Sequence, residues 1–271
     1  MNKDFIAKHW YASVYEQFEN QTNDVEFLLK ILREQTGGAP QNILEAACGG
    51  GRISVPLAQA GHNVTGFDAD EYMLMRCYNR MKGLPNITCY QADALTGDWG
   101  VGRAGGYDVV VMAGNVLINI ETDGDYKEAQ QTFIKKAYAA LRPGGHLYLD
   151  YDQHSDESAV RTFSNLGESF YFKGTDEFGT TGRTIGYGGA YDPVTRIWSG
   201  IGHWKLTTNN GEQIIYAEKP RYKHILSLKQ VYGWLTDAGF TVEKTFRNFT
   251  GEPIADNEPD HVRATIWACR A

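Results

Sequence analysis

Glycines and carboxylates crowd together between positions 42 and 70. The segment begins Asn42-Ile43-Leu44-Glu45, passes through Ala46-Ala47-Cys48-Gly49-Gly50-Gly51, and ends on Asp68 and Asp70. Small residues in a turn let the backbone approach a ligand that a Cβ would keep away. An acid at the end of the following strand can accept hydrogen bonds from both hydroxyls of a ribose. The pieces needed to position these groups are present. Ile43-Leu44 and Val64-Thr65-Gly66-Phe67 are short apolar runs, and Ile53, Val55, Leu57 and Ala58 trace a helical face stopped by Gly61. Strand, glycine turn, helix, strand and acid make one βαβ unit. A dinucleotide site would ask for G-x-G-x-x-G, whereas the glycines here fall at 49, 50 and 51. An ordinary tight turn could use the same glycines, so the motif needs support from the rest of the chain.

That support comes from polar groups at the ends of later strands. Asp93 follows a strand expected over 87–90, where it either accepts from a ligand amino group or simply forms a turn. Tyr107 to Met112 reads YDVVVM, a continuous apolar run suited to a parallel strand buried on both faces. It opens into Ala113-Gly114-Asn115, which offers close approach and an amide. A helix is expected over 127–141 and a turn at Arg142-Pro143-Gly144-Gly145. A fifth strand over 146–151 then delivers Asp150 and Asp152. This βαβ order predicts a doubly wound α/β sheet, whose ligands bind outside the carboxyl ends of the strands. Glu45, Asp68, Asp93, Asn115 and Asp152 all fall at that edge.

Helices are expected on both sides of Asn20 before the first strand. They cover a sheet edge, or they form a lid in which Tyr11 or Tyr15 closes on a ligand. Met73, Cys77 and Met81 mark one face of a helix capped by Asp70. After Ser155 the pattern changes to short strands, expected over 168–173, 183–190, 196–206 and 213–224. Turns at Tyr191-Asp192-Pro193 and Asn209-Asn210-Gly211 separate them. This antiparallel insertion is rich in Tyr187, Tyr191, Trp198, His203, Trp204, Tyr216, Tyr222 and His224. These residues pack a small sheet, build a substrate pocket or form a homo-oligomer surface. Ser227 and Gln230 form a capping box for a further helix, whose apolar face is Leu228, Val231 and Leu235. Two alternating runs, 241–249 and 261–269, close the sheet around a polar loop at 251–260.

The 271 residues are 42% hydrophobic, ordinary for a globular protein with a sizeable core. A formal net charge of −7 argues against a nucleic-acid partner, which is held largely by Lys and Arg. The four cysteines contain no CxxC pair, and the seven histidines show no HxxxH or HExxH spacing, so no metal is expected. The N-terminal stretch lacks a signal-type apolar core, and no run is apolar enough to span a membrane. A cytoplasmic protein is the expectation.

The segment EAACGGG resembles motif I of the class I S-adenosylmethionine-dependent methyltransferases, D/E-x-G-x-G-x-G. LRPGGHL resembles the turn before the fifth strand in that family. Across LEAACGGGRISVPLAQAGHNVTGFDAD, YDVVVMAGNVLINI, LRPGGHLYLDYD and YKHILSLKQVYGWLTDAGF the chain is similar to the glycine and sugar N-methyltransferase branch. The resemblance implies a Rossmann-like seven-stranded sheet with a helical cap (1–38), a cofactor core (39–154), the insertion (155–224) and a C-terminal completion of the sheet (225–271). It implies S-adenosylmethionine as cofactor and S-adenosylhomocysteine as product. Glu45, Ala47 and Gly49 would line the methionine moiety, and Asp68 would hold the ribose. Ala69 and Met73 would lie against adenine, with Asp93 and Ala94 at its amino group. Ala113, Gly114, Asn115 and Ile118 would flank the sulfonium.

Some positions depart from the pattern. Ala47 replaces the first motif glycine. Arg52 reaches the cofactor carboxylate or caps surface charge; the sequence leaves both open. Asp152 stands where glycine N-methyltransferases place an arginine that grips the substrate carboxylate, so the expected substrate presents an amine or hydroxyl to an acid. An amine attacking as its free base needs little general-base help, whereas a hydroxyl needs a base. Candidates are His154, Asp152, Tyr222 and His224. N-methylation of a small metabolite is the first expectation and O- or C-methylation the second. The third is action on, or docking to, a macromolecule.

Overall fold

The computed structural model describes residues 2–100, 106–164, 168–169, 172–217, 220–254 and 261–271, with backbone alone at 168, 169, 187 and 188. In chain order the first elements are α1 (Lys3–Phe18), α2 (Asn23–Thr36), β1 (Asn42–Ala46), α3 (Ser54–Gln59), β2 (Asn63–Asp68), α4 (Glu71–Arg80) and β3 (Ile87–Gln91). Then come β4 (Tyr107–Met112), α5 (Tyr126–Ala140), β5 (Leu141–Gln153), α6 (Asp156–Phe163), β6 (Glu168–Ser169) and β7 (Lys173–Thr175). The chain ends with β8 (Thr181–Asp192), β9 (Ile197–Thr207), β10 (Gln213–Ala217), β11 (Arg221–His224), α7 (Leu228–Ala238), β12 (Phe240–Arg247) and β13 (Val262–Arg270). These elements form two units, Met1–Asn20 with Asp156–Ile225, and Gln21–Ser155 with Leu226–Ala271.

The larger unit is a seven-stranded sheet in the order β12-β13-β5-β4-β1-β2-β3. The strands from β5 through β3 are mutually parallel, and β13 and β12 add antiparallel at one edge. The chain leaves β3 at one edge and re-enters as β4 on the far side of β1. The carboxyl ends of β1 and β4 therefore flank the point where strand order reverses, which is where such sheets open a crevice. Val109, Val110, Val111 and Met112 are all buried, as a strand covered on both faces requires.

The expected turn at Arg142–Gly145 lies inside β5. Tyr107 pairs with Leu141 and Val109 with His146, so β5 accommodates extra residues against two steps of β4. A Cβ on Gly145 would come within 3.0 Å of the Tyr107 and Asp108 carbonyl oxygens, so only glycine lets the bulge pack this closely.

In the smaller unit β8 and β9 form a long antiparallel pair. The expected strand over 213–224 is two strands, β10 and β11, both paired to β9. Part of that stretch, 218–219, lies outside the described residues, as do 170–171 of the expected 168–173 strand, 255–260 of the polar loop and the Tyr187 side chain. Helix α6 was not legible in the sequence.

The helical cap expected over 1–38 divides between the units. Trp10 and Val14 of α1 bury against Trp204, Leu206 and Ile214. Leu28, Ile31 and Leu32 of α2 join Ile43, Leu57 and Val109 in the other core. No described helix is long and apolar enough to cross a membrane.

Candidate active site

The glycine turn is held by its own backbone and by Asp68. Cys48 N donates to the Phe67 carbonyl at 2.9 Å, and Gly49 N donates to Asp68 Oδ2 at 2.8 Å. Asp68 Oδ1 accepts from Asp70 N at 2.8 Å. With the Ala69 backbone also donating to it, the carboxylate keeps one acceptor position for a further donor. Burial raises the Asp68 carboxyl above its ordinary range, although backbone donors oppose that shift. Ala47 (φ 58°) and Gly49 (φ 52°) both sit in the left-handed region. Ala47, the departure from the glycine pattern, therefore keeps the conformation a glycine would adopt without strain. A Cβ on Gly49 would lie 3.3 Å from Met73 Cε, so the missing side chain leaves a cradle between the turn and α4.

Glu45 turns inward. It is buried at the end of β1, and Ser54 Oγ donates to its Oε2. Burial pushes its carboxyl up to about 8, so it is largely protonated at neutral pH. Asp70 caps α4 by accepting from Tyr72 N and Met73 N, and this places Met73 at the turn. Asp93 forms the tight turn that was one of its two sequence readings. Its Oδ1 accepts from Leu95 N, Thr96 N and Thr96 Oγ1, bonds that hold its carboxyl below the usual range despite partial burial. Ala69 and Ala94 offer their carbonyls to Gln91 Nε2 and Trp99 Nε1, each at 2.9 Å.

The groups beyond β4 and β5 form one network. Gly114 (φ 73°) donates its N–H to Asp150 Oδ1 at 3.0 Å, and the space a Cβ would take on Gly114 is open. Asn115 and Asp152 bond reciprocally. Asn115 Nδ2 donates to Asp152 Oδ2 at 2.5 Å, and Asp152 N donates to Asn115 Oδ1 at 2.7 Å. Ile118 is buried one turn on, its N–H on the Asn115 carbonyl at 3.0 Å.

The sequence reading missed the cation that holds this network. Arg263 on β13 pairs in register with Asp152. Its Nη2 lies 2.7 Å from Asp150 Oδ1 and its Nη1 3.1 Å from Asp152 Oδ1. His261 Nε2 is 3.2 Å from the same Asp152 oxygen, and its ring stacks on His154 at 4.6 Å. Burial pushes Asp150 up to about 6, opposed by Arg263. Burial also raises Asp152, but Arg263, Asn115 and His261 together outweigh it and hold the carboxyl below its usual range. Asp152 is therefore an ionised acid that already faces a cation, where the sequence led to the expectation of a substrate amine or hydroxyl. Arg263 and His261 sit on an alternating run read correctly as a strand. The cross-strand register that puts Arg263 opposite Asp152, with His261 just before the strand, had no sequence signal.

The remaining predicted residues are placed as follows. Arg52 makes a bidentate pair with Asp24 (2.8 and 2.6 Å) and donates to the Gln21 carbonyl at 3.1 Å, which ties α2 to the turn. His154 is buried just past β5. Tyr222 and His224 belong to β11 of the smaller unit, where Tyr222 is 47% exposed and His224 is fully buried. Tyr11 stacks on Trp204 at 4.7 Å, and Tyr15 meets Phe172 edge-on at 5.6 Å, both within the smaller unit.

The turn cradle, the ribose-competent Asp68 and the open edge at Gly114 fit an S-adenosyl ligand lying across the strand ends. Comparison with known proteins agrees. Residues 43–145 match the methyltransferase domain family. Glycine N-methyltransferase of Rattus norvegicus is 27% identical over 62% of this chain, which spans 58% of that protein's length. A putative methyltransferase, YqeM, of Bacillus subtilis is 27% identical over 92% of each chain. The crystal structure of an S-adenosylmethionine-dependent methyltransferase from Clostridium acetobutylicum shares the fold, with TM-score 0.70 over 99% of each chain at 14% identity. Domain match, full-length relative and sheet order together support the fold of the class I S-adenosylmethionine-dependent methyltransferases, with residues 43–145 as a methyltransferase domain.

Proposed function

We propose that the protein transfers a methyl group to an amine of a small metabolite. The observation that carries this reading is the ionised Asp152 beside Gly114 and Asn115. Its side chain is 32% exposed whereas its partner Arg263 is 19% exposed, so the acid is the more accessible end of the pair. An accessible acid attracts an ammonium group and can accept a proton as the amine becomes nucleophilic.

When bound, S-adenosylmethionine supplies an electrophilic methyl on a sulfonium. In this reading the turn at Glu45, Ala47 and Gly49 receives its methionine part and Asp68 the ribose. Met73, Ala69, Asp93 and Ala94 receive the adenine. Ala113, Gly114, Asn115 and Ile118 border the reacting centre. Asp152, fixed by Asn115 and Arg263, orients the nucleophile. Collinear positioning of this kind supplies much of the rate in a displacement.

One observation favours a second reading, O-methylation. His154 stacks on His261, which touches Asp152. The Asp152–His261 pair could take a proton from a hydroxyl, with His154 holding the His261 ring in place. S-adenosylhomocysteine release across a panel of amines, hydroxyl compounds and carboxylates separates the two. Turnover confined to amines supports the first, and turnover of hydroxyl compounds alone replaces it with the second.

A further inference from the structure

Three of the four cysteines converge below the glycine turn. Cys48 comes from the turn itself, Cys77 from α4 and Cys89 from β3, and all three are more than nine-tenths buried. Their sulfurs all lie within 4.8 Å of one another, and Cys77 Sγ and Cys89 Sγ are 3.0 Å apart. The surroundings make room for sulfur and little else. A Cβ on Gly51 would fall 2.8 Å from Cys77 Sγ, and one on Gly66 would fall 2.9 Å from Cys48 Sγ. Gly66 is also the β2 residue directly opposite Cys89.

We propose that Cys48, Cys77 and Cys89 form a binding site for a thiophilic d10 cation, with Cu(I) as the fitting ion. Three sulfurs around one metal at about 2.3 Å stand about 4 Å apart in a plane. The closest pair at 3.0 Å and the 4.8 Å ceiling bracket that spacing. Soft thiolate ligands select Cu(I), and a three-sulfur set completes trigonal coordination. Zn(II) takes four ligands in a structural site. A disulfide between Cys77 and Cys89 would use two sulfurs and leave Cys48 without a role. The bound cation would cross-link the turn, α4 and β3, three segments that meet only in the folded chain. Metal binding would thus stabilise the fold and stiffen the turn. The site is independent of the methyl acceptor.

A second group of potential ligands, His146, Glu243 and Cys269, provides the internal comparison. It is half-exposed to exposed and mixes nitrogen, oxygen and sulfur, a set suited to harder ions.

The test uses the full-length protein, reduced and stripped of metal, titrated anaerobically with Cu(I) against a competing chelator. The expected result is one retained equivalent, a higher melting temperature, and an X-ray absorption spectrum with three sulfur neighbours and no nitrogen or oxygen. Cys77→Ser and Cys89→Ser should each weaken retention at least tenfold, and Glu243→Gln should leave it unchanged. The proposal is overturned if no copper is retained, if retention is lost in Glu243→Gln instead, or if only Zn(II) binds. The absorption spectrum of the wild-type protein decides the ligand set even where a cysteine variant fails to fold.

Discussion

Arg263 Nη2 lies 2.7 Å from Asp150 Oδ1, and the same oxygen receives the Gly114 N–H at 3.0 Å. A cation on the antiparallel strand β13 thereby fixes the loop that leaves β4. Asp150 is fully buried, so removing its partner leaves an uncompensated interior charge. Arg263→Met should cost about 3–5 kcal/mol of stability in urea unfolding. Adding Asp150→Asn should restore part of that loss, because the carboxylate that needed the cation is gone. An unchanged midpoint in the single variant would show that the pair does not hold the loop.

Glu45 gives a pH prediction with a definite sign. Its folded-state value of about 8 lies above the model-compound value of 4.5. Between these limits the folded chain binds more protons than the unfolded one, so stability falls as pH rises. The contribution is complete below about pH 4.5 and is lost as pH rises through 8. Thermal unfolding from pH 6 to 9 should show a declining melting temperature, and Glu45→Gln should flatten the decline. A Glu45→Gln profile parallel to wild type would remove Glu45 as its source.

Ala47 holds φ at 58°, a region that costs an L-residue about 1–2 kcal/mol. Ala47→Gly relieves that strain but loosens the unfolded chain by about 0.4–1 kcal/mol. The expected net effect is a stability gain between zero and about 1.6 kcal/mol. Cofactor affinity should stay within threefold, as calorimetry would show. A loss above 1 kcal/mol would mean that the methyl group packs into the turn.

Asp152→Asn removes charge while keeping an oxygen toward Asn115. Turnover of the amine substrate should fall about 10²–10⁴-fold if the acid takes part in proton transfer. Binding of S-adenosylhomocysteine should persist. Turnover within twofold of wild type would take Asp152 out of the substrate contact.

Much of this fold is written in local pattern. The VVVM run of β4, the glycine turn and the Ser227–Gln230 capping box each follow from spacing within a few residues, and the structure contains all three. Contacts between distant segments are a different matter. Arg263 meets Asp150 and Asp152 only because β13 pairs with β5 in one register, and alternation alone does not set a register. The Arg52–Asp24 pair arises through the docking of α2, another tertiary fact. The thiol cluster was invisible for the same reason: its members come from a turn, a helix and a strand, so no CxxC spacing marks it. The extended start of β5 was hidden by Pro143 and two glycines, which read as a turn and serve as a bulge.

In the proposed function, the edge formed by the glycine turn and Asp68 holds S-adenosylmethionine. Isothermal titration of the full-length protein with S-adenosylmethionine, alongside Asp68→Asn, tests it most directly. One cofactor per chain is expected, with at least tenfold weaker binding in the variant, since a hydrogen bond to a charged group contributes about 1.5–3 kcal/mol. A wild-type protein that binds no cofactor, or an Asp68→Asn variant that binds it equally well, would place the cofactor elsewhere or nowhere on this chain.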